Sequence, residues 1–296
     1  MTDLRTSQLS SAAAPSRLEK TPEGAARGLG RPMILGILNV TPDSFSDGGT
    51  HLNTASAIEF ATRLHESGAD IVDVGGESTR PGAERLPVEE EQRRVLPVIE
   101  ELAKRGVPLS VDTMNARTAA AAAALGVGII NDVSGGTADP DMPKTIADSG
   151  VMFIAMHSRG SSATMDSRAI YRDTVRDVRT ELERCVANLI GQGVRADRII
   201  VDPGIGFAKN AGQNWELLAG LRELRALGHP VLVGASRKRF LADLLPVDSH
   251  PGDRDAATAV ISALAAEAGV WGVRVHDVDS TKAALDVWSA MNGARK

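Results

Sequence analysis

One cysteine, one tyrosine and an aromatic fraction of 3% are all that a chain of 296 residues carries of these types. Cys185 has no partner, so an intramolecular disulfide is excluded, and a catalytic thiol would need an activating base beside it. It lies in an amphipathic helical segment and reads as a helix residue with little chemistry. So few rings offer no base-stacking platform. A net charge of -5 and a pI near 5.7 lack the basic surface of a general nucleic-acid binder, which leaves room only for a local cation cluster serving an anionic substrate. No apolar run reaches the ~20 residues that span a bilayer, so no membrane association is expected. Two familiar signatures are also missing. There is no His/Cys cluster with zinc spacing, and no Gly-x-Gly-x-x-Gly follows the first apolar run.

Residues 1–30 are rich in Ala, Ser and Thr, and Asp3, Glu19 and Glu23 spoil any resemblance to a signal or transit peptide. They read as a disordered leader on a cytoplasmic protein, with residues 31–296 as one domain. From there short β-branched runs alternate with longer helical patterns. Strands are expected at Met33–Leu38, Ile71–Val74, Leu109–Val111, Ile129–Ile130, Val151–Met156, Ile199–Val201, Val231–Val233 and Gly272–Val275. The clearest helical spacings lie at Ala55–Glu66, Glu89–Lys104, Asn115–Ala124, Thr174–Ile190, Asn214–Leu227, Asp255–Ala268 and Thr281–Met291. Glycines 68, 106, 126, 150, 228 and 269 fall where helices should end. Eight strands, each followed by a helix, predict a single α/β (β/α)8 TIM barrel.

Barrel active sites form at the C-terminal ends of the strands. Those positions hold Asn39, Asp73, Glu77 to Gly82, Asp112-Thr113, Asn131-Asp132, Met156-His157, Asp202-Pro203-Gly204, Ser236-Arg237-Lys238 and Arg274-Val275-His276-Asp277. Each has an ordinary explanation: Asp112, Asn131 and Asp202 as helix caps, Arg80 as a surface charge, His157 as a satisfied core histidine. Convergence on one rim is what caps do not require. By residue type, Asp112, Asn131, Asp202 and Lys238 suit a heterocycle with a guanidine-like edge, because a carboxylate accepts two parallel N–H bonds. Arg80, Arg274 and His276, with Thr79 as a hydroxyl donor, suit a phosphate or pyrophosphate. Asn39 offers an oxygen to Mg²⁺.

Together, Asn39-Val40-Thr41-Pro42-Asp43-Ser44-Phe45-Ser46-Asp47-Gly48-Gly49, Gly75-Gly76-Glu77-Ser78-Thr79-Arg80-Pro81-Gly82, Asp202-Pro203-Gly204-Ile205-Gly206-Phe207, Ser236-Arg237-Lys238 and Arg274-Val275-His276-Asp277 resemble the dihydropteroate synthase family. The resemblance runs from about Met33 to the C-terminus. It implies condensation of 6-hydroxymethyl-7,8-dihydropterin pyrophosphate with 4-aminobenzoate, with Mg²⁺ as cofactor. Asp112, Asn131, Asp202 and Lys238 would then hold the pterin, with Met156 against its ring. Asn39 would ligate Mg²⁺, and Arg80, Arg274 and His276 would hold the pyrophosphate. Thr79, Pro81, Phe207, Ser236 and the stem of Lys238 would receive the aminobenzoate. Asp43 and Phe45 would close over the site on a lid hinged at Gly48 and Gly49. The family's SN1-like loss of pyrophosphate needs no protein nucleophile, and its members are usually homodimers. Two alternatives stay open: a pterin-dependent methyltransferase domain, and a pterin-binding paralogue without catalysis.

Overall fold

A computed structural model describes residues 30–41, 50–77, 85–160 and 164–294. Its centre is a parallel sheet of β1 (Met33–Asn39), β2 (Ile71–Gly75), β3 (Leu109–Asp112), β4 (Ile129–Asp132), β5 (Met152–Met156), β6 (Ile199–Asp202), β7 (Leu232–Val233) and β8 (Gly272–Val275). The strand order is β6-β5-β4-β3-β2-β1-β8-β7, and β1 pairs with both β2 and β8. An isolated parallel bridge between Val201 and Val231 closes the remaining seam, with Val201 N–H donating to Pro230 O at 2.9 Å. The expected barrel is present.

The strands have the β-branched composition that suits a surface buried on both faces. Their side chains alternate between two layers of apolar packing. Ile34, Leu38, Val72, Val74 and Val111 face the helices in the larger core cluster. Met33, Leu35, Ile71, Ile129, Met152, Ile154, Ile200 and Leu232, with Trp271, form a separate cluster that plugs the lower half of the barrel. The period of two then dictates what lies above that plug. Two residues on from Ile71 is Asp73; from Ile129, Asn131; from Ile154, Met156; from Ile200, Asp202. Apolar at the bottom and polar at the top, the interior is a sealed floor beneath a reactive mouth.

The surrounding helices are α1 (Thr50–Glu66), α2 (Val88–Lys104), α3 (Ala116–Ala124), α4 (Met142–Ser149), α5 (Thr174–Gly191), α6 (Ala211–Ala219), α7 (Leu221–Arg225), α8 (Asp255–Ala268) and α9 (Val278–Gly293). One lies outside the clearest helical spacings, and one differs from the sequence expectation. Helix α4 is short and begins Met-Pro-Lys, so its apolar spacing is weak; Met142, Pro143 and Ile146 nevertheless bury against the barrel. The segment Asn214–Leu227 is not one helix but two, broken at Gly220, where a Cβ would lie 2.7 Å from the Val175 side chain of α5. Close approach of α5 overrides helical periodicity there. Gly150 and Gly269 end α4 and α8 in left-handed conformations, as their positions suggested. Among the described residues no helix is long and apolar enough to cross a membrane.

Candidate active site

The polar layer above the plug is organised around Asp73, fully buried on β2. Its Oδ1 accepts from the Ser110 hydroxyl, and its Oδ2 accepts from Arg274 Nε at 2.5 Å and Asn131 Nδ2 at 3.2 Å. Arg274 reaches on to Asp112, with Nη2 donating to Oδ2 at 2.8 Å. One guanidinium from β8 thus ties together carboxylates from β2 and β3, and Asn131 of β4 joins through Asp73. Asp73 was visible at its strand end, but nothing in the sequence tells that its carboxylate is shared by three strands' side chains. The heterocycle set and the anion set of the sequence reading are therefore not separate clusters: Arg274 of the second set is bonded to Asp112 of the first.

Burial governs the charge states. It drives the Asp112 carboxyl up to about 7 against the attraction of Arg274, while Asp73 and Asp112 hold the Arg274 guanidinium firmly protonated despite its burial. Asp202, 5% exposed at the end of β6, is pushed up to about 6 by burial, opposed by the Gly204 N–H that donates to its Oδ1 at 2.7 Å. Neither Asp112 nor Asp202 caps a helix: the residues preceding α3 and α6 are Asn115 and Asn210. Asp132, by contrast, is spent on its own turn, accepting from Ser134 N and Oγ and from Gly136 N. Asn131 alone of that pair points into the barrel network.

Lys238 follows β7. Burial, then the nearby Arg274 charge, pulls its ammonium down to about 8, and its Nζ lies 4.0 Å from the centre of the Phe207 ring. Gly206 makes that stacking possible, since a Cβ there would lie 2.8 Å from Lys238 Cδ. Ser236 is tied to β8: its Oγ accepts the His276 backbone N–H at 3.1 Å and bonds Nδ1 of the same imidazole at 2.9 Å. Arg237 faces away, paired with Asp255 at 2.8 and 2.7 Å through a left-handed backbone (φ 56) that turns Ser236 and Lys238 toward the mouth. Met156 is buried at the end of β5. Asn39 ends β1, and its Oδ1 and the Asp112 side chain border the bare Cα of Gly75. Asp43, Phe45, Thr79, Arg80 and Pro81 lie outside the described residues, as do Gly48 and Gly49.

A second polar network lies beneath the loop that follows β6, and sequence reasoning missed most of it. His157, 4% exposed, has both ring nitrogens engaged: Nε2 with Glu181 Oε2 at 2.9 Å and Nδ1 with Lys209 Nζ at 3.0 Å. Burial lowers it to about 4, so it stays neutral, the satisfied core histidine that its position allowed. Glu181 is pulled down to about 2 by the His157 hydrogen bond and by Arg159, whose guanidinium lies 3.8 Å from the Tyr171 ring centre. Lys209 is 8% exposed and, through burial, lowered to about 7. Its place in the sequence does not single it out; only the fold buries it. Cys185, half-buried, donates to Gly135 O at 3.3 Å, and burial raises its thiol to about 11, as expected for an inert residue.

Residues 35–276 match the pterin binding enzyme family. The dihydropteroate synthase of Mycobacterium leprae is 49% identical over 262 residues, which cover 87% of this chain and 92% of that one. The structure of Xanthomonas albilineans dihydropteroate synthase with 4-aminobenzoic acid superimposes with a TM-score of 0.83 at 45% identity, over 88% of this chain and 93% of that chain. The same enzyme in complex with 7,8-dihydropteroate gives 0.80 at 42% identity, over 88% and 94%. With a buried carboxylate layer at the barrel mouth and relatives this similar over nearly their whole length, the chain belongs to the dihydropteroate synthase branch of the pterin binding enzyme family.

Proposed function

We propose that this chain condenses 6-hydroxymethyl-7,8-dihydropterin pyrophosphate with 4-aminobenzoate to give 7,8-dihydropteroate and pyrophosphate. The observation that carries the reading is the set of Asp112, Asn131 and Asp202 on the inward-facing ends of β3, β4 and β6, with Met156 of β5 between the last two and Lys238 after β7. Two buried carboxylates and an amide match the donor-rich edge of an aminopyrimidinone. Asp202 binds its own loop through Oδ1, which leaves Oδ2 for the ligand.

In the reaction the exocyclic C–O bond to pyrophosphate breaks, the arylamine nitrogen bonds to that carbon, and the amine loses a proton. The electron-rich pterin supports the intermediate cation, so no protein nucleophile is required. Arg274 spends N–H groups on Asp73 and Asp112, and its remaining donors serve the leaving group. With the Ser236 hydroxyl donating to Nδ1, His276 carries its hydrogen on Nε2 and presents it to the same anion. Asp43 and Phe45 are proposed to shield the cation from water. Thr79, Arg80 and Pro81 complete the aminobenzoate and pyrophosphate contacts on this reading.

The residues fit magnesium of the substrate-assisted kind. Among the described residues no cluster of His, Cys, Asp or Glu could hold a metal ion by itself, and Asn39 supplies one neutral oxygen at the strand end. A hard ion held by few protein atoms takes its other ligands from phosphate and water. When bound, it neutralises charge on the departing pyrophosphate. Incubation with the pterin pyrophosphate, Mg²⁺ and 4-aminobenzoate is expected to release pyrophosphate in step with dihydropteroate. A methyltransferase domain or a binding-only paralogue would release none. Asn39→Ala should raise the Mg²⁺ concentration for half-maximal rate by roughly 10- to 100-fold, the range seen when a metal site loses a supporting group; an unchanged Mg²⁺ response would remove Asn39 from the metal.

The chain is also proposed to act as a homodimer in the cytoplasm. Val260 and Leu264 on α8, and Val287 and Met291 on α9, are 60%, 65%, 61% and 59% exposed. Each pair is spaced i,i+4, on helices that pack side by side. Such a stripe is self-complementary about a two-fold axis. Sedimentation velocity is expected to show a dimer for the wild type and a monomer for Leu264→Glu with Val287→Glu. A wild-type monomer would refute the pairing.

A further inference from the structure

The loop Gly204–Lys209 carries two groups of the proposed site, the Gly204 N–H that holds Asp202 and the Phe207 ring on which Lys238 stacks. What fixes this loop lies underneath it, in side chains that no step of the reaction uses. Lys209 Nζ donates to Gly204 O at 3.0 Å, to Phe207 O at 2.8 Å and to His157 Nδ1 at 3.0 Å. An ammonium has three hydrogens, and all are committed. The acceptor role of His157 Nδ1 is itself set from behind, because Nε2–H donates to Glu181 Oε2. Glu181 is in turn gripped by Arg159.

Two further observations show that the loop would not keep this shape unaided. Ala208, between the two clamped stretches, is buried with φ 49, a left-handed conformation that is strained for an L residue. The Tyr171 hydroxyl donates to its carbonyl at 3.1 Å. At the other end Gly204 lies so close to β5 that a Cβ would meet His157 O at 2.0 Å. Carbonyls of residues 204, 207 and 208 are thus each held from below, while the Phe207 side chain remains half-buried at the mouth.

We infer that Lys209 is a positioning residue for the arylamine half of the site, acting through the Phe207 backbone and ring. Lys209 touches no substrate on this reading. It holds a strained loop in the one shape that presents Phe207. A hydrocarbon of equal length would fill the space but leave the Phe207 carbonyl without its donor and the Gly204 carbonyl with the Phe207 N–H alone.

The inference rests on the proposed reaction, and the test keeps the two apart. Steady-state kinetics are compared for wild type and Lys209→Met, each with and without Phe207→Ala. Lys209→Met is expected to raise KM for 4-aminobenzoate about 30-fold, and KM for the pterin pyrophosphate less than about threefold. In the Phe207→Ala background the same substitution should change KM for 4-aminobenzoate less than about threefold, since contacting residues couple strongly. Equal factors in the two backgrounds, or equal effects on both substrates, would make Lys209 a mere stability residue and overturn the inference. If Lys209→Met does not fold, Tyr171→Phe, which removes only the Ala208 hydrogen bond, should show the same substrate selectivity at about threefold. A wild-type protein that releases no pyrophosphate would refute the reaction instead, and calorimetric titration of 4-aminobenzoate onto pterin-loaded protein would then decide the role of Lys209 by the same ratios.

Discussion

Asp202→Asn is expected to weaken binding of the pterin by roughly 100- to 1,000-fold, the cost of removing one partner from a buried, charge-assisted hydrogen-bonded pair. The asparagine oxygen can still accept from the Gly204 N–H, so the loop keeps its anchor. What changes is the outward atom: an NH₂ group replaces the oxygen proposed to face the donors of the pterin, and donor would meet donor. Pyrophosphate affinity should stay within a few-fold, because Arg274 and His276 are untouched. Calorimetry with each ligand separately checks this, and a larger loss for pyrophosphate than for pterin would overturn the assignment.

The same residue sets a pH limb. Burial raises Asp202 to about 6, and only its ionised form accepts from the ligand, so kcat/KM of the wild type should fall as pH drops through about 6. Asp112, raised to about 7, titrates close by, so the limb belongs to both. Asp202→Asn should shift what remains of it toward 7. For stability the sign is opposite. A carboxylate whose pKa is higher in the folded protein contributes stability below its unfolded pKa of about 4, lost as pH rises through about 6. At neutral pH the ionised Asp202 therefore costs stability, and Asp202→Asn should melt no lower than wild type. Function and fold want different things of this side chain.

Arg274→Met is expected to do the reverse, lowering stability by about 3–5 kcal/mol as well as abolishing turnover. It would strand Asp73, which is fully buried, and Asp112 beside it without their shared cation. For a barrel of this size the melting temperature should fall by roughly 10 °C. An arginine serving only the leaving group would leave thermal stability unchanged when replaced. Adding Asp73→Asn to Arg274→Met should recover part of the lost melting temperature without restoring activity. Thermal denaturation of the two variants checks both statements, and a wild-type melting temperature for Arg274→Met would show that the pairing with Asp73 and Asp112 does not hold the barrel top.

The barrel was legible because its strands are short, β-branched and separated by helical spacing, and because the glycines at 68, 106, 126, 150, 228 and 269 mark the helix ends. Helix α4 was marked only by Gly150 at its end, because a short segment with few apolar residues carries little periodic signal. Gly220 broke an expected helix for a reason written in α5, not in its own neighbours. The rim residues were readable from their position one step beyond each apolar run. Their pairing was not: that Arg274 reaches Asp73 and Asp112 depends on residues 201 and 162 positions away in sequence. Lys209 shows the limit most plainly. Nothing in Phe207-Ala208-Lys209-Asn210 marks a buried lysine until the fold lowers it into contact with the histidine that follows the neighbouring strand.

The barrel is not equally well sewn all the way round. Most neighbouring strands share several paired residues, but β6 and β7 meet through the bridge of Val201 and Val231. Asp202 stands just above that bridge on one side, and Ser236 and Lys238 follow β7 on the other. A pterin held as proposed by Asp202 and Lys238 would lace the two lips of this seam together. The substrate would then complete the container that holds it, and the empty barrel should breathe along this one line, with exchange of backbone hydrogens fastest around β7 and quenched as the pocket fills.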